Sequence, residues 1–150
     1  MPAATPSDLR IVEPACAVFR RTLRAEGLKY TPERARILDA VVETDEPFQA
    51  EQLQGRLRTA GVRVSKATVY RTIKLLQQAG VIQQVLVDAE QSHYQLAWGR
   101  GATGLLVRVD TQELEQLDVP ELAAIRDRVC AQRGLKAQGV RLVIYAAKST

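Results

Sequence analysis

The chain has 150 residues, 46% of them apolar and 25% charged, with a net charge of +4 at pH 7. That balance belongs to a globular protein and excludes a disordered or fibrous chain. No apolar run reaches the ~20 residues of a membrane span, and Met1 to Ser7 lack the basic flank and apolar stretch of a leader, so a cytoplasmic location is expected.

The two cysteines, Cys16 and Cys130, are too few for a disulfide framework or a cysteine-rich zinc site. Residues 1–10 are expected to form a flexible arm. Apolar periodicity predicts a helix from about Val12 to Glu26, closed by Gly27. Thr31-Pro32-Glu33 starts the next helix with a hydroxyl cap, a proline at the first helical position and an acid facing the dipole. Its stripe is Ile37, Leu38, Val41 and Val42, running to about Thr44. Pro47-Phe48 interrupts, and a short helix spans about Ala50 to Thr59.

Ser65 caps a fourth helix that runs to Ala79, with Gly80 as terminator. Val81 to Val87 and Ser92 to Ala97 are predicted strands joined by a polar turn at Asp88-Ala89-Glu90-Gln91. Four helices followed by a hairpin is the order of a winged helix-turn-helix, assigned here to residues 11–97. Three glycines within Trp98 to Gly104 suggest a hinge. Beyond it, Leu105, Val107 and Val109 alternate as a strand, and a second strand is expected around Glu113 to Leu117. Asp118 to Arg133 is a predicted helix with Leu122, Ile125 and Val129 inward, and Val140 to Ala147 a last strand. The fold class is α+β: a winged helix-turn-helix followed by a small α/β dimerisation lobe over 105–150. A lobe this short leaves an open sheet edge, which a second copy would cover, so a homodimer is expected.

Charge is distributed unevenly. Residues 1–80 hold 13 of the 21 Lys/Arg against 9 of the 17 Asp/Glu, and residues 81–150 hold 8 of each. Between Gln52 and Val87 there is no acid, whereas Arg56, Arg58, Arg63, Lys66, Arg71 and Lys74 fall there. A solvated helix surface or a polyanion partner would each account for such a stretch. The fourth helix favours the second. At 100° per residue, Val69, Thr72, Ile73, Leu76 and Ala79 share one face, and Ala67, Tyr70, Arg71, Lys74 and Gln78 the other. That outer face offers cations for phosphates or guanine edges, an aromatic for thymine methyl or sugar, and a small residue permitting close approach to a groove. Ser65 and the first amides of the helix suit a phosphate.

Gly27-Leu28-Lys29-Tyr30-Thr31-Pro32-Glu33-Arg34, Ala50-Glu51-Gln52-Leu53, Ser65-Lys66-Ala67-Thr68-Val69-Tyr70-Arg71 and Gln78-Ala79-Gly80-Val81 resemble the ferric uptake regulator family in order and spacing, from about Phe19 to Leu96. The resemblance implies a dimeric DNA-binding transcriptional regulator, probe of a double-stranded operator and a repressor by habit. It places Tyr70 and Arg71 in the major groove, Lys29 at the minor groove and Arg34 in support of a phosphate contact. With the helix reading, the expected DNA-binding set is Lys29, Arg34, Ser65, Lys66, Ala67, Thr68, Tyr70, Arg71 and Lys74.

The resemblance also implies a metal site, and here the residues depart from the pattern. Phe48 or Gln49 stands where a histidine precedes the Ala-Glu-x-Leu motif. Gln95 replaces a wing glutamate. Trp98 to Gly104 has no histidine, Val107 to Asp110 no cysteine pair, and a later histidine position meets Gln138 or Gly139. His93 is the only histidine. His93, Gln95, Asp110, Glu113 and Glu115 are the weak candidates left, too poor in nitrogen and sulfur donors for a tight zinc or iron site. No cofactor is expected, and the regulator is read as metal-independent. Two alternatives stand beside it: an interaction subunit pairing with a metal-sensing relative, and a sensor with unconventional ligands. One histidine and no nucleophile–base pair leave no case for an enzyme.

Overall fold

The computed structural model describes residues 11–44, 46–86, 92–99 and 103–149. The expected N-terminal arm, the turn at 88–91 and residues 100–102 of the expected hinge lie outside the described residues. The chain divides into two units, one spanning Pro14–Leu96 and the other formed by the described residues on either side of it. The fold is α+β, as expected, and among the described residues no helix is long and apolar enough to cross a membrane.

In the first unit α1 covers Ala15–Ala25, α2 Pro32–Val42, α3 Ala50–Thr59 and α4 Lys66–Gln78, followed by β1 (Ile82–Leu86) and β2 (His93–Leu96). α1 begins three residues later than the periodicity suggests, because Pro14 sits extended (φ −69°, ψ 158°) at its N-cap. Helix α4 packs against α1, α2 and α3. Phe19, Leu23, Ile37, Leu38, Val41, Leu53, Val69, Ile73 and Leu76 are all almost fully buried, so each helix contributes apolar residues to one core; Val42, expected in the α2 stripe, is instead 43% exposed at the end of that helix. Arg56 reaches from α3 to donate to the buried hydroxyl of Thr44, so this cation serves the helix packing. Gly80, at φ +79°, makes the left-handed turn that stops α4, with Val81 N–H donating to the Leu76 carbonyl at 3.0 Å. β1 and β2 pair antiparallel with Gln83 opposite Gln95, and the register slips between Gln84 and Leu86.

In the second unit β3 (Thr103–Arg108) is the centre of a three-stranded sheet, antiparallel to β4 (Leu114–Asp118) and parallel to β5 (Leu142–Ala146), with α5 (Glu121–Ala131) between the last two in sequence. The strand therefore starts inside the expected hinge. Gly104 is part of it, and a Cβ there would lie 3.1 Å from a methyl of Val119. Val109 falls beyond β3, in a turn, and is exposed.

Helix α5 corrects another expectation. Leu122 and Arg126 are its buried residues, while Ile125 and Val129, expected inward, are 48% and 41% exposed. Strands lie ~4.8 Å apart, so three of them make a sheet only about 10 Å across, which covers one narrow stripe of a helix.

Candidate nucleic-acid interface

Helix α4 starts where its sequence says it must. Ser65 is extended (φ −68°, ψ 151°) and its Oγ accepts from the Thr68 N–H at 3.1 Å. The Ser65 and Thr68 hydroxyls are 2.8 Å apart, so both serve the cap that aims the helix. Val69, Thr72, Ile73 and Leu76 face the core. Ala67, Tyr70, Arg71 and Lys74 are exposed on the other side, and Tyr70 shows 41% of its surface.

Arg71, Lys66 and Tyr70 have local partners that shape them. Arg71 Nε donates back to the Ala67 carbonyl at 3.3 Å. Lys66 Nζ lies 3.5 Å from Glu51 of α3 and 5.8 Å from the centre of the Tyr70 ring. The reading face is thus acid-free in its own sequence but not in space. Gln78, counted on the same face, donates to Glu26 at 2.5 Å and is engaged with α1 instead. Beside the cap, Arg58, Arg63 and Ser65 line a groove of about 450 Å³ with Gln54, Val62 and Val64. The acid-free stretch of sequence contained both arginines, but only the turn between α3 and α4 brings them beside the start of α4.

Lys29 is exposed in the loop between α1 and α2. Its carbonyl accepts from Arg34 Nη1 at 2.6 Å, and Arg34 N–H donates to the Thr31 cap at 3.2 Å. Arg34 is half-buried and shapes the loop that carries Lys29, an indirect role. Tyr30 closes the loop from beneath, edge-on to Phe19 with ring centres 6.0 Å apart and under the Arg20 guanidinium at 4.6 Å. Burial, reinforced by nearby Cys16 and Asp39, holds its hydroxyl above the usual phenol range.

The wing has a third member that periodicity missed. Phe48 and Tyr94 exchange both backbone hydrogen bonds at 2.8 Å, so the segment before α3 pairs with β2. Phe48 is fully buried, with its ring centre 6.1 Å from that of Tyr94. Pro47 looks like a break in the sequence; the β-prone aromatic after it was the signal for an edge residue.

A capped, cation-bearing helix at the end of a helix-turn-helix, with a hairpin beside it, defines a winged-helix DNA-binding protein. The sequence profile described as "Ferric uptake regulator family" matches residues 25–145, and the chain belongs to that family. It is therefore a transcription regulator. The ferric uptake regulation protein of Campylobacter jejuni is 33% identical over 129 residues, covering 85% of this chain and 82% of that one. That of Neisseria meningitidis is 29% identical over 128 residues, covering 85% and 88%. Among solved structures, the ferric uptake regulator of Pseudomonas aeruginosa with manganese superposes with a TM-score of 0.60 at 30% identity, over 89% of this chain and 99% of that one. The Francisella tularensis regulator with iron shares the fold, with a TM-score of 0.52 at 24% identity over 82% and 93%.

Those relatives raise the question of an ion at the candidate ligand positions. Among the described residues, no group of three His, Cys, Asp or Glu side chains is placed to hold a metal. Gln95 is fully buried in β2, and among the described residues neither polar atom of its amide finds a hydrogen-bond partner; His93 Nδ1 is likewise buried without one. Asp110 belongs to the other unit. Both its oxygens are bound by Arg108, at 2.8 and 2.7 Å, and one also accepts from Lys148 N–H at 3.2 Å. That arginine holds the Asp110 carboxyl far below the usual carboxylate range. Glu113 and Glu115 are exposed on and beside β4.

Proposed function

We propose that the protein is a repressor that binds a double-stranded operator as a homodimer and does so without a bound metal. Lys29, Ser65, Lys66, Ala67, Thr68, Tyr70, Arg71 and Lys74 form the reading surface, with Arg34 supporting Lys29. Arg71 and Tyr70 contact bases, Lys29 and Lys74 meet phosphate or groove edges, and Ser65 with Thr68 presents the first amides of α4. Residues 11–97 act as the reader and 105–150 as the dimerisation lobe. The lobe is suited to that role by the exposed apolar side chains Ile125, Val129, Ile144 and Tyr145.

The observation that carries the metal-free reading is Gln95. An amide has the shape of a carboxylate without its charge, and a cation held there would meet no compensating anion. The test is operator binding by purified protein before and after exhaustive chelation, with elemental analysis of the same preparation. Equal affinity in both, with no stoichiometric metal, is expected. Binding that requires an added divalent ion overturns the metal-free reading and leaves the DNA-binding one standing.

A further inference from the structure

The winged-helix unit is joined to the remainder of the chain by two peptide links, Glu13–Pro14 and Leu96–Ala97. The residues just outside both links belong to the C-terminal unit, and there they converge on one short segment. Gln138 Oε1 accepts from the backbone N–H of Val12 at 2.8 Å and of Glu13 at 3.3 Å. Gln138 Nε2 donates the other way, to the carbonyls of Lys136 at 3.2 Å and Ala137 at 3.1 Å. Only one orientation of the amide satisfies all four partners.

At the second link, the main-chain carbonyl of Gln138 accepts from Gly99 N–H at 2.6 Å. The indole N–H of Trp98 donates to the Glu13 carbonyl at 2.8 Å, tying the two crossings to each other. The fit leaves no room for a side chain at 139: a Cβ on Gly139 would lie 2.3 Å from the Ala97 carbonyl oxygen and 3.1 Å from the Gly99 nitrogen.

We propose that Gln138 and Gly139, with Trp98, are positioning residues for DNA binding: they fasten both crossings at one point, so that the two reading helices of a dimer engage two half-sites together. This rests on the operator-binding reading above. When two readers share a tether, the affinity for the second half-site depends on how closely the tether holds it to the required span. Loosening both links lowers that effective concentration, yet leaves each reader's own surface intact.

Trp98 is the sole tryptophan of the chain, so its emission reports the fastening directly. The experiment uses Gln138→Ala, which removes the two bonds accepted from Val12 and Glu13 along with the two donated to Lys136 and Ala137, and Gly139→Ala, which wedges against Ala97. Each is tested on a duplex selected by the wild-type protein from a random pool, and on the same duplex cut to one half-site. Both variants are expected to shift Trp98 emission to the red. Gln138→Ala should lose about five- to tenfold on the full duplex, as two modest hydrogen bonds imply, and Gly139→Ala more, with single half-site affinity unchanged in both. Unchanged emission and unchanged full-duplex affinity in both variants overturn the proposal. Equal losses on both duplexes also overturn it, since they mark a structural role only. Should the wild-type protein select no DNA, the operator reading fails, and the positioning role with it. The emission shift then tests only the fastening itself.

Discussion

The two units differ in how they treat their apolar side chains. In the winged-helix unit each helix buries most of its stripe against its neighbours, and Phe19, Phe48, Leu53, Ile73 and Leu76 are sealed within the protomer. In the C-terminal unit, among the described residues, only Leu105, Val107 and Leu122 reach that state, while Val109, Ile125, Val129, Leu135, Ile144 and Tyr145 stay exposed. One unit has closed its core and exposes few large apolar side chains, Leu28, Val42 and Tyr70 among them. The other has a half-finished core, with the open edge of β5 beside it. In the proposed homodimer a second copy would complete that core, which would make dimerisation obligatory for the lobe but not for the reader.

That contrast can be broken at its strongest point first. Phe48→Ala removes a fully buried ring that joins the wing to α3, and should cost about 3–5 kcal/mol of stability, measured by denaturant unfolding. A loss below about 1 kcal/mol would mean that the wing packs less tightly than its burial implies. On the open side, Ile144→Glu should leave the protomer folded but dissociate the dimer. A side chain worth ~1.5–3 kcal/mol when buried appears twice in a symmetric interface, and a charge there has no partner. Sedimentation velocity against concentration reads the outcome, and an unshifted dimer removes β5 from the interface.

Smaller effects sharpen the roles within the reader. Arg71→Ala should weaken specific operator binding by about 1–3 kcal/mol and relax the sequence preference. Lys29→Ala should cost less and change the salt slope by roughly one ion. If neither alters affinity, the reading face has been placed on the wrong side of α4. Smallest of all is the Arg108–Asp110 clip. A depressed carboxyl contributes stability above its unfolded value, near pH 4, and that contribution fades as pH falls toward its lower folded value. A carboxyl-detected NMR titration should therefore show no Asp110 midpoint between about pH 3 and 5. Asp110→Asn should move the thermal midpoint by no more than a degree or two, as expected for an exposed pair.

What could be read in advance followed the same division. The stripe, cap and outward face of α4 were visible because a helix that closes its core within one chain shows its burial as periodicity. Helix α5 misled for the opposite reason. Its apolar positions are split between a buried side and an exposed one, and periodicity cannot say on which of them Ile125 and Leu122 fall. Nor does it find Arg126, a buried cation whose guanidinium lies 2.8 Å from Asp127. The Phe48–Tyr94 pairing and the Gln138 fastening were invisible because both depend on contacts between distant parts of the chain, the second across 126 residues. Departures from the family's ligand pattern were legible residue by residue. The burial of Gln95 and the commitment of Asp110 to Arg108 were not.

On the proposed reading face, the contact between Lys66 and Glu51 would act as a filter of its own. A phosphate approaching Lys66 has to displace a carboxylate already there, at 3.5 Å, so that lysine attracts passing duplex less than a bare ammonium would. Random DNA, held by charge alone, forfeits the most from this competition, whereas a cognate site has base-edge contacts to compensate. Removing the acid, as in Glu51→Gln, would make the protein bind more DNA and discriminate less among it.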